Sequence, residues 1–170
     1  TGTEFQDRFD KLIIATGAKA EKPAFEGSAR KNVFLFRNIS DLKNIKTFLS
    51  INRPKKAVII GSGPIGLELA ENLTRIGLKT TLIARSSISK GLSPELSRLV
   101  EQQLLTHGVD VITNASIKGI TEKGVFLEDG NLHVADIVLL ATGVKPCVEL
   151  ATASGIQLGS TGAIQVNRHM

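Results

Sequence analysis

The succession of apolar and polar positions along the chain predicts strands alternating with amphipathic helices. Phe9-Asp10-Lys11 leads from turn-forming polar residues into Leu12-Ile13-Ile14-Ala15 and stops at Thr16-Gly17, the pattern of a short strand buried on both faces. Residues 18–32 are mixed, carry Pro23 and Gly27, and read as a connection. After an apolar run at Val33–Phe36, Ser40 is the expected N-cap of a helix that buries Leu42, Ile45, Phe48 and Leu49.

Arg53-Pro54-Lys55-Lys56 ends that helix, and the strand Ala57–Ile60 runs straight into Gly61-Ser62-Gly63-Pro64-Ile65-Gly66. Behind this turn Ile65, Leu69, Leu73 and Ile76 recur at helical steps until Gly77 supplies the stop. Thr80–Ala84, rich in β-branched residues, is the next strand. Ser93-Pro94 then opens a helix with Leu96, Leu99, Val100 and Leu104 on its buried face, and a third parallel strand follows at Val109–Thr113. Past residue 114 the rhythm shortens to strands at Ile117–Ile120, Val125–Leu127 and Leu132–Leu140. Connections such as Glu128-Asp129-Gly130-Asn131 are too tight for helical crossovers, so this part reads as an antiparallel meander. Asp136–Gly143 repeats the pattern of Lys11–Gly17: a polar start, an apolar strand and Ala-Thr-Gly. The tail Val144–Met170 has no long amphipathic segment.

Composition narrows the chemistry. A chain of 170 residues with 42% hydrophobic and 22% charged residues is an ordinary globular sequence of about one domain. No apolar run approaches the roughly 20 residues of a membrane helix, and Thr1–Asp7 lack a leader pattern, so a cytoplasmic protein without membrane contact is expected. The net charge of +5 is spread along the chain without a block of like charges, which favours a solvated surface over a nucleic-acid patch. Tyr and Trp are absent, which rules out a Tyr-Lys acid/base dehydrogenase. Cys147 is the single thiol, so no dithiol chemistry can occur within the chain. His107, His133 and His169 are scattered, and no metal centre is expected.

A G-x-G-x-x-G sequence alone is a weak signal, but here it follows an expected strand and opens an expected helix in a β-α-β unit, the setting of a dinucleotide fingerprint. Gly61 would allow the tight turn, Gly63 would open the backbone to a pyrophosphate, and Gly66 would let helix and strand pack closely. The helix begins at Pro64, which has no N–H, so amides from Ile65 onward would face the phosphates at the positive end of the helix dipole. At the end of the following strand, 19 positions after Gly66, stand Arg85-Ser86-Ser87 with Lys90 close behind, and no Asp or Glu occurs from Thr80 through Ser93. A carboxylate there would read the ribose hydroxyls of NAD, whereas a cation accommodates the 2′-phosphate of NADP. Arg85 and Ser86 are therefore either a 2′-phosphate site or an exposed loop that leaves the ribose unread.

The two Ala-Thr-Gly segments bracketing Gly61-Ser62-Gly63-Pro64-Ile65-Gly66-Leu67-Glu68, together with Gly162-Ala163-Ile164-Gln165-Val166, closely resemble the pyridine nucleotide-disulfide oxidoreductases. These are flavoproteins that include glutathione reductase, NADH oxidase and coenzyme A disulfide reductase. The resemblance covers practically the whole chain. It implies a Rossmann-like, three-layer NAD(P)-binding domain at residues 24–143, with a parallel sheet and a meander, inserted between pieces of an FAD-binding domain at 1–23 and 144–170. It implies NAD(P)H contacts at Gly61, Gly63, Pro64, Ile65, Gly66, Glu68, Arg85, Ser86 and Gly143, and FAD contacts at Thr16 and Gly17 in the full-length protein. Glu68 matches a helix glutamate that pairs with a lysine beside the flavin, although a first-turn Glu is also what a helix dipole favours. Arg85-Ser86 and Gly143-Val144-Lys145-Pro146 look more like the coenzyme A disulfide reductases and other single-cysteine members than the glutathione reductases.

The family's FAD fingerprint, its reactive cysteine, its flavin-contacting Gly-Asp and its dimerisation domain have no counterpart in this sequence, and Cys147 does not match the redox cysteine. The chain is expected to be an excised NAD(P)-binding domain of an enzyme that passes a hydride from NAD(P)H to FAD and on to a disulfide, oxygen or a similar acceptor. By itself it would carry no catalytic residue. Its partners would be the nicotinamide dinucleotide and the FAD-binding and dimerisation parts of the same chain. A stand-alone nucleotide-binding or redox-sensing module, and a ferredoxin- or rubredoxin-type reductase domain, are the alternatives.

Overall fold

The computed structural model describes residue 2 and residues 6–170, so most of the segment Thr1–Asp7 read for a leader lies outside the described residues. The elements run β1 (Ala18–Ala20), β2 (Val33–Leu35), α1 (Ile39–Asn52), β3 (Lys56–Ile60), α2 (Pro64–Arg75), β4 (Lys79–Ile83) and α3 (Pro94–Thr106). They continue with β5 (Val109–Ile112), β6 (Ile117–Thr121), β7 (Gly124–Leu127), β8 (Leu132–Val134), β9 (Ile137–Leu140), β10 (Val144–Pro146) and α4 (Glu149–Ala153). The chain separates into two compact units: Ala20–Val144, and the residues up to Lys19 together with Lys145–Met170. β1 and β10, at the two passages between units, pair with each other.

In the larger unit β2, β9, β3, β4 and β5 lie side by side, all parallel. Successive strand residues point to opposite faces, and both faces here are covered. Ala57, Ile59, Leu82, Ile137 and Leu139 meet Ile45 of α1, Ala70 and Leu73 of α2, and Leu104 of α3. Val58, Ile60, Ile83, Val138 and Leu140 face Ile120, Val125 and Leu127 of the antiparallel β6-β7-β8 meander. That is why these strands read as unbroken apolar runs rather than alternating ones. Helices, parallel sheet and meander form the three layers expected from the sequence.

Several expectations need correction. Lys11–Gly17 forms no strand: Leu12 is 62% and Ile13 89% exposed. A buried strand needs pairing strands for its backbone groups and covering layers for its faces, and among the described residues no strand pairs with this run. Helix α1 is capped by Asn38, not Ser40, because Asn38 and Asp41 satisfy each other's backbone N–H groups at 3.0 Å each way, a reciprocal capping box. Helix α2 buries Gly66, Ala70 and Leu73 and leaves Ile65, and Ile76 just past its end, exposed, since the small residues let it lie close on the sheet. Helix α3 buries Ser97 and Leu104, while Leu96 and Leu99 stay about half exposed.

Leu132–Leu140 is two strands in two sheets. β8 closes the meander, and β9 enters the middle of the parallel sheet between β2 and β3. Asp136 makes the switch: its carboxylate accepts the N–H groups of Lys55 at 2.8 Å and Lys56 at 2.9 Å, and its own N–H donates to the Lys56 carbonyl at 2.9 Å. Asp136→Ala removes two charge-assisted bonds at an exposed position, which should lower stability by about 1–2 kcal/mol. A urea unfolding midpoint that stays at the unmodified value would contradict that role.

The smaller unit contains α4, with Ala151 fully buried, and a bridge between Leu158 and Ile164. Lys19 Nζ donates to Glu149 Oε1 at 2.6 Å, a hydrogen bond and ion pair that hold the glutamate below and the lysine above their ordinary pKa.

Candidate functional site

The glycine turn lies at the carboxyl end of β3, the central strand, where the connection through α2 runs to β4 on one side while β9 on the other is entered from the meander. In open parallel sheets ligands bind at such a switch point. Each glycine meets a different constraint. Gly61 has φ +113°, and a Cβ there would stand 2.2 Å from the Ala141 carbonyl oxygen. A Cβ on Gly66 would stand 2.0 Å from the Gly61 carbonyl oxygen, so these two positions are closed by the fold itself. Around a Cβ on Gly63 nothing lies within 4 Å. Its backbone, φ −71° and ψ 178°, suits any residue, so the fold does not account for the glycine.

Asn38 caps α1 and Ser93 caps α3 through side-chain oxygens, whereas α2 starts at Gly63 with no side-chain cap and with Pro64 in its first turn. The N–H groups of Gly63, Ile65 and Gly66 have no intrahelical acceptor, and the helix dipole adds partial positive charge there. The arrangement can receive an anion bridging several amides.

Two further segments flank the turn. Ala141 N–H donates to the Ile60 carbonyl at 2.8 Å, and beyond it Gly143, at φ +116°, accepts from Glu21 N–H at 2.9 Å. Thr142 Oγ1 donates to the Glu21 carbonyl at 2.9 Å, which fixes the Ala-Thr-Gly segment on the other side. From the end of β4 comes the loop Arg85–Lys90, with Arg85, Ser86 and Lys90 exposed. Within it Ser62 carbonyl accepts both Ser89 N–H and Ser89 Oγ at 3.1 Å. Ile88 is buried, and its carbonyl accepts Ser97 Oγ of α3 at 3.0 Å. Sequence reading missed Ser62 and Ser89. The signal was a lone apolar Ile88 inside a serine-rich loop, which marks an anchored turn rather than a free one.

Gly61–Gly66, Ala141–Gly143 and Arg85–Lys90 thus form one edge in the larger unit. Glu68 is exposed on α2 and lines, with Leu67, Leu99 and His107, a cleft of about 770 Å³ between α2 and α3 that includes none of the turn's glycines. Thr16 and Gly17 belong to the smaller unit, where Thr16 Oγ1 donates to the Cys147 carbonyl and Cys147 N–H donates to the Gly17 carbonyl at 2.9 Å. Among the described residues no group of His, Cys, Asp and Glu is placed to hold a metal ion, and no helix is long and apolar enough to cross a membrane.

Because the Cβ of Gly66→Ala would meet backbone rather than a movable side chain, that variant should lose about 3 kcal/mol or more. Gly63→Ala should leave stability within about 0.5 kcal/mol. Urea unfolding of the two variants distinguishes them, and equal losses would mean that the turn is not closed as described.

The family model for pyridine nucleotide-disulphide oxidoreductases matches residues 1–170. A protein named NADH oxidase from Methanocaldococcus jannaschii is 35% identical over 175 residues, covering 99% of this chain and 39% of that one. Coenzyme A disulfide reductase from Staphylococcus aureus (strain JH9) is 31% identical over 168 residues, covering 98% and 38%. The structure of an NAD-dependent persulfide reductase from A. fulgidus superposes with a TM-score of 0.89 at 35% identity, covering 95% of this chain and 31% of that one. The chain therefore spans about two fifths of the length of the curated relatives it matches. With a G-x-G-x-x-G turn opening a helix on a three-layer α/β fold and the family model matched from end to end, this chain belongs to the pyridine nucleotide-disulphide oxidoreductases.

Proposed function

We propose that the chain seats NAD(P)H for a flavin-dependent oxidoreductase, with the pyrophosphate on Gly61–Gly66 and the 2′-phosphate of NADP(H) on Arg85 and Ser86. The observation that carries this reading is the uncapped start of α2, where a Cβ on Gly63 would meet nothing. Open backbone amides at a helix N-terminus, beside a strand end that carries a guanidinium and no carboxylate, are what a phosphorylated dinucleotide requires.

Within this reading residues 24–143 are the nucleotide-binding domain, and 1–23 with 144–170 belong to a flavin-binding half in which Thr16 and Gly17 lie beside FAD. Gly143 borders the bound nucleotide, and Glu68 receives a lysine from the flavin half. The flavin supplies the hydride acceptor, and this chain binds and orients the donor. Disulfide, persulfide or oxygen acceptors are the classes that the relatives' names support. Among the described residues the smaller unit offers FAD no glycine turn opening a long helix, since its helix α4 has five residues.

Calorimetric titration of the purified chain with NADPH tests the proposal. One site per chain is expected, in a colourless preparation that reduces no dye. Absence of binding, or a flavin spectrum, contradicts it.

A further inference from the structure

We propose that Ser89 is a positioning residue that sets nucleotide specificity, by fastening the Arg85–Lys90 loop to the glycine turn through the Ser62 carbonyl. The inference rests on the reading of Gly61–Gly66 and Arg85 given above.

The geometry is specific. One carbonyl oxygen, that of Ser62, accepts two bonds from one residue: Ser89 N–H and Ser89 Oγ, both at 3.1 Å. To make them Ser89 takes φ +50°, a left-handed conformation that costs a non-glycine residue free energy and persists only where surroundings enforce it. Ser62 Oγ adds a long contact of 3.5 Å to the Ser87 carbonyl. On the far side, buried Ile88 and the Ser97 Oγ bond to its carbonyl hold the loop on α3. On the near side Ala84 and Ser86 are held to the strand-β5 end: Ala84 N–H donates to Ile112 carbonyl at 2.8 Å, and Asn114 N–H to Ser86 carbonyl at 3.4 Å.

Among the described residues the middle of the loop is therefore tied to the turn that would carry the pyrophosphate through Ser62, by the two Ser89 bonds and the longer Ser87 contact. A planar trans peptide points its carbonyl and N–H in opposite directions. Fixing Ser62 carbonyl on Ser89 thus also turns Gly63 N–H away from the loop. A 2′-phosphate and a pyrophosphate hang from C2′ and C5′ of the same ribose, only a few bonds apart, so the span between their sites must stay within the reach of the ligand. The tie sets that span.

Ser89→Ala removes the hydroxyl bond and keeps the backbone bond, so the turn's own peptide plane stays fixed. Ser89→Gly removes the same bond and adopts φ +50° without strain, which separates loss of the hydroxyl from backbone effects. Affinities for NADPH and NADH are measured for the unmodified chain, both Ser89 variants and Arg85→Glu. In both Ser89 variants the NADPH-to-NADH affinity ratio should fall about threefold to tenfold, the scale of one hydrogen bond, with NADH affinity within about twofold. An unchanged ratio in both, while Arg85→Glu reverses the preference, overturns the positioning role and leaves the underlying reading intact. A chain that binds neither nucleotide overturns both.

Discussion

Gly63→Val should abolish measurable NADPH binding while leaving the chain folded. The extended backbone at Gly63 is one that a β-branched residue adopts readily, and its Cβ direction opens on space, so the domain should lose less than about 1 kcal/mol. A pyrophosphate resting on the amides of Gly63, Ile65 and Gly66 needs that space. An isopropyl group fills it, and the loss of two or three charge-assisted bonds should weaken binding by about 100-fold or more. Calorimetry reads the affinity and circular dichroism the fold. The same substitution at Gly61 or Gly66 cannot serve, because there the side chain meets backbone and stability is lost together with any binding. Undiminished affinity in folded Gly63→Val would place the ligand elsewhere.

Arg85→Glu should reverse the order of nucleotide preference. The unmodified chain should hold NADPH more tightly than NADH by about tenfold to 100-fold, since a guanidinium bond to the 2′-phosphate contributes roughly 1.5–3 kcal/mol. Glutamate at the same place repels that phosphate and can accept the two free hydroxyls of NADH. Because Arg85 is exposed, the preference should shrink as salt rises and screens the pair. Paired titrations at low salt decide it, and equal affinities in the unmodified chain would remove Arg85 from the account.

The parts of this fold that were legible in the sequence are those with local causes. β3, the glycine turn and α2 follow from an apolar run, an unusual glycine spacing and a helical repeat within about twenty consecutive residues, and Ser93-Pro94 marks the start of α3 by the same logic. Errors arose where distant residues decide. Residues 132–140 read as one strand because nothing nearby shows that Asp136 will bind Lys55 and Lys56, some eighty positions away, and split it between two sheets. The run at Lys11–Gly17 has the composition of a central strand, yet a strand exists only with a pairing partner. Periodicity placed Ile65, Leu96 and Leu99 inside because it cannot say which side of a helix the sheet will cover. In the candidate site, the glycines and Arg85 stood out by type and spacing. The Ser62–Ser89 tie did not, since a hydrogen bond across 27 positions leaves no periodic trace.

The most direct test of a dinucleotide seat on Gly61–Gly66 is a titration of ¹⁵N-labelled chain with NADPH, followed amide by amide. A dinucleotide seated there gives saturable shifts concentrated at Gly63, Ile65 and Gly66 and at Arg85–Ser86, with a single binding constant for all of them. Shifts gathered instead around Leu99 and His107 in the cleft between α2 and α3, with the glycine turn unmoved, would contradict it.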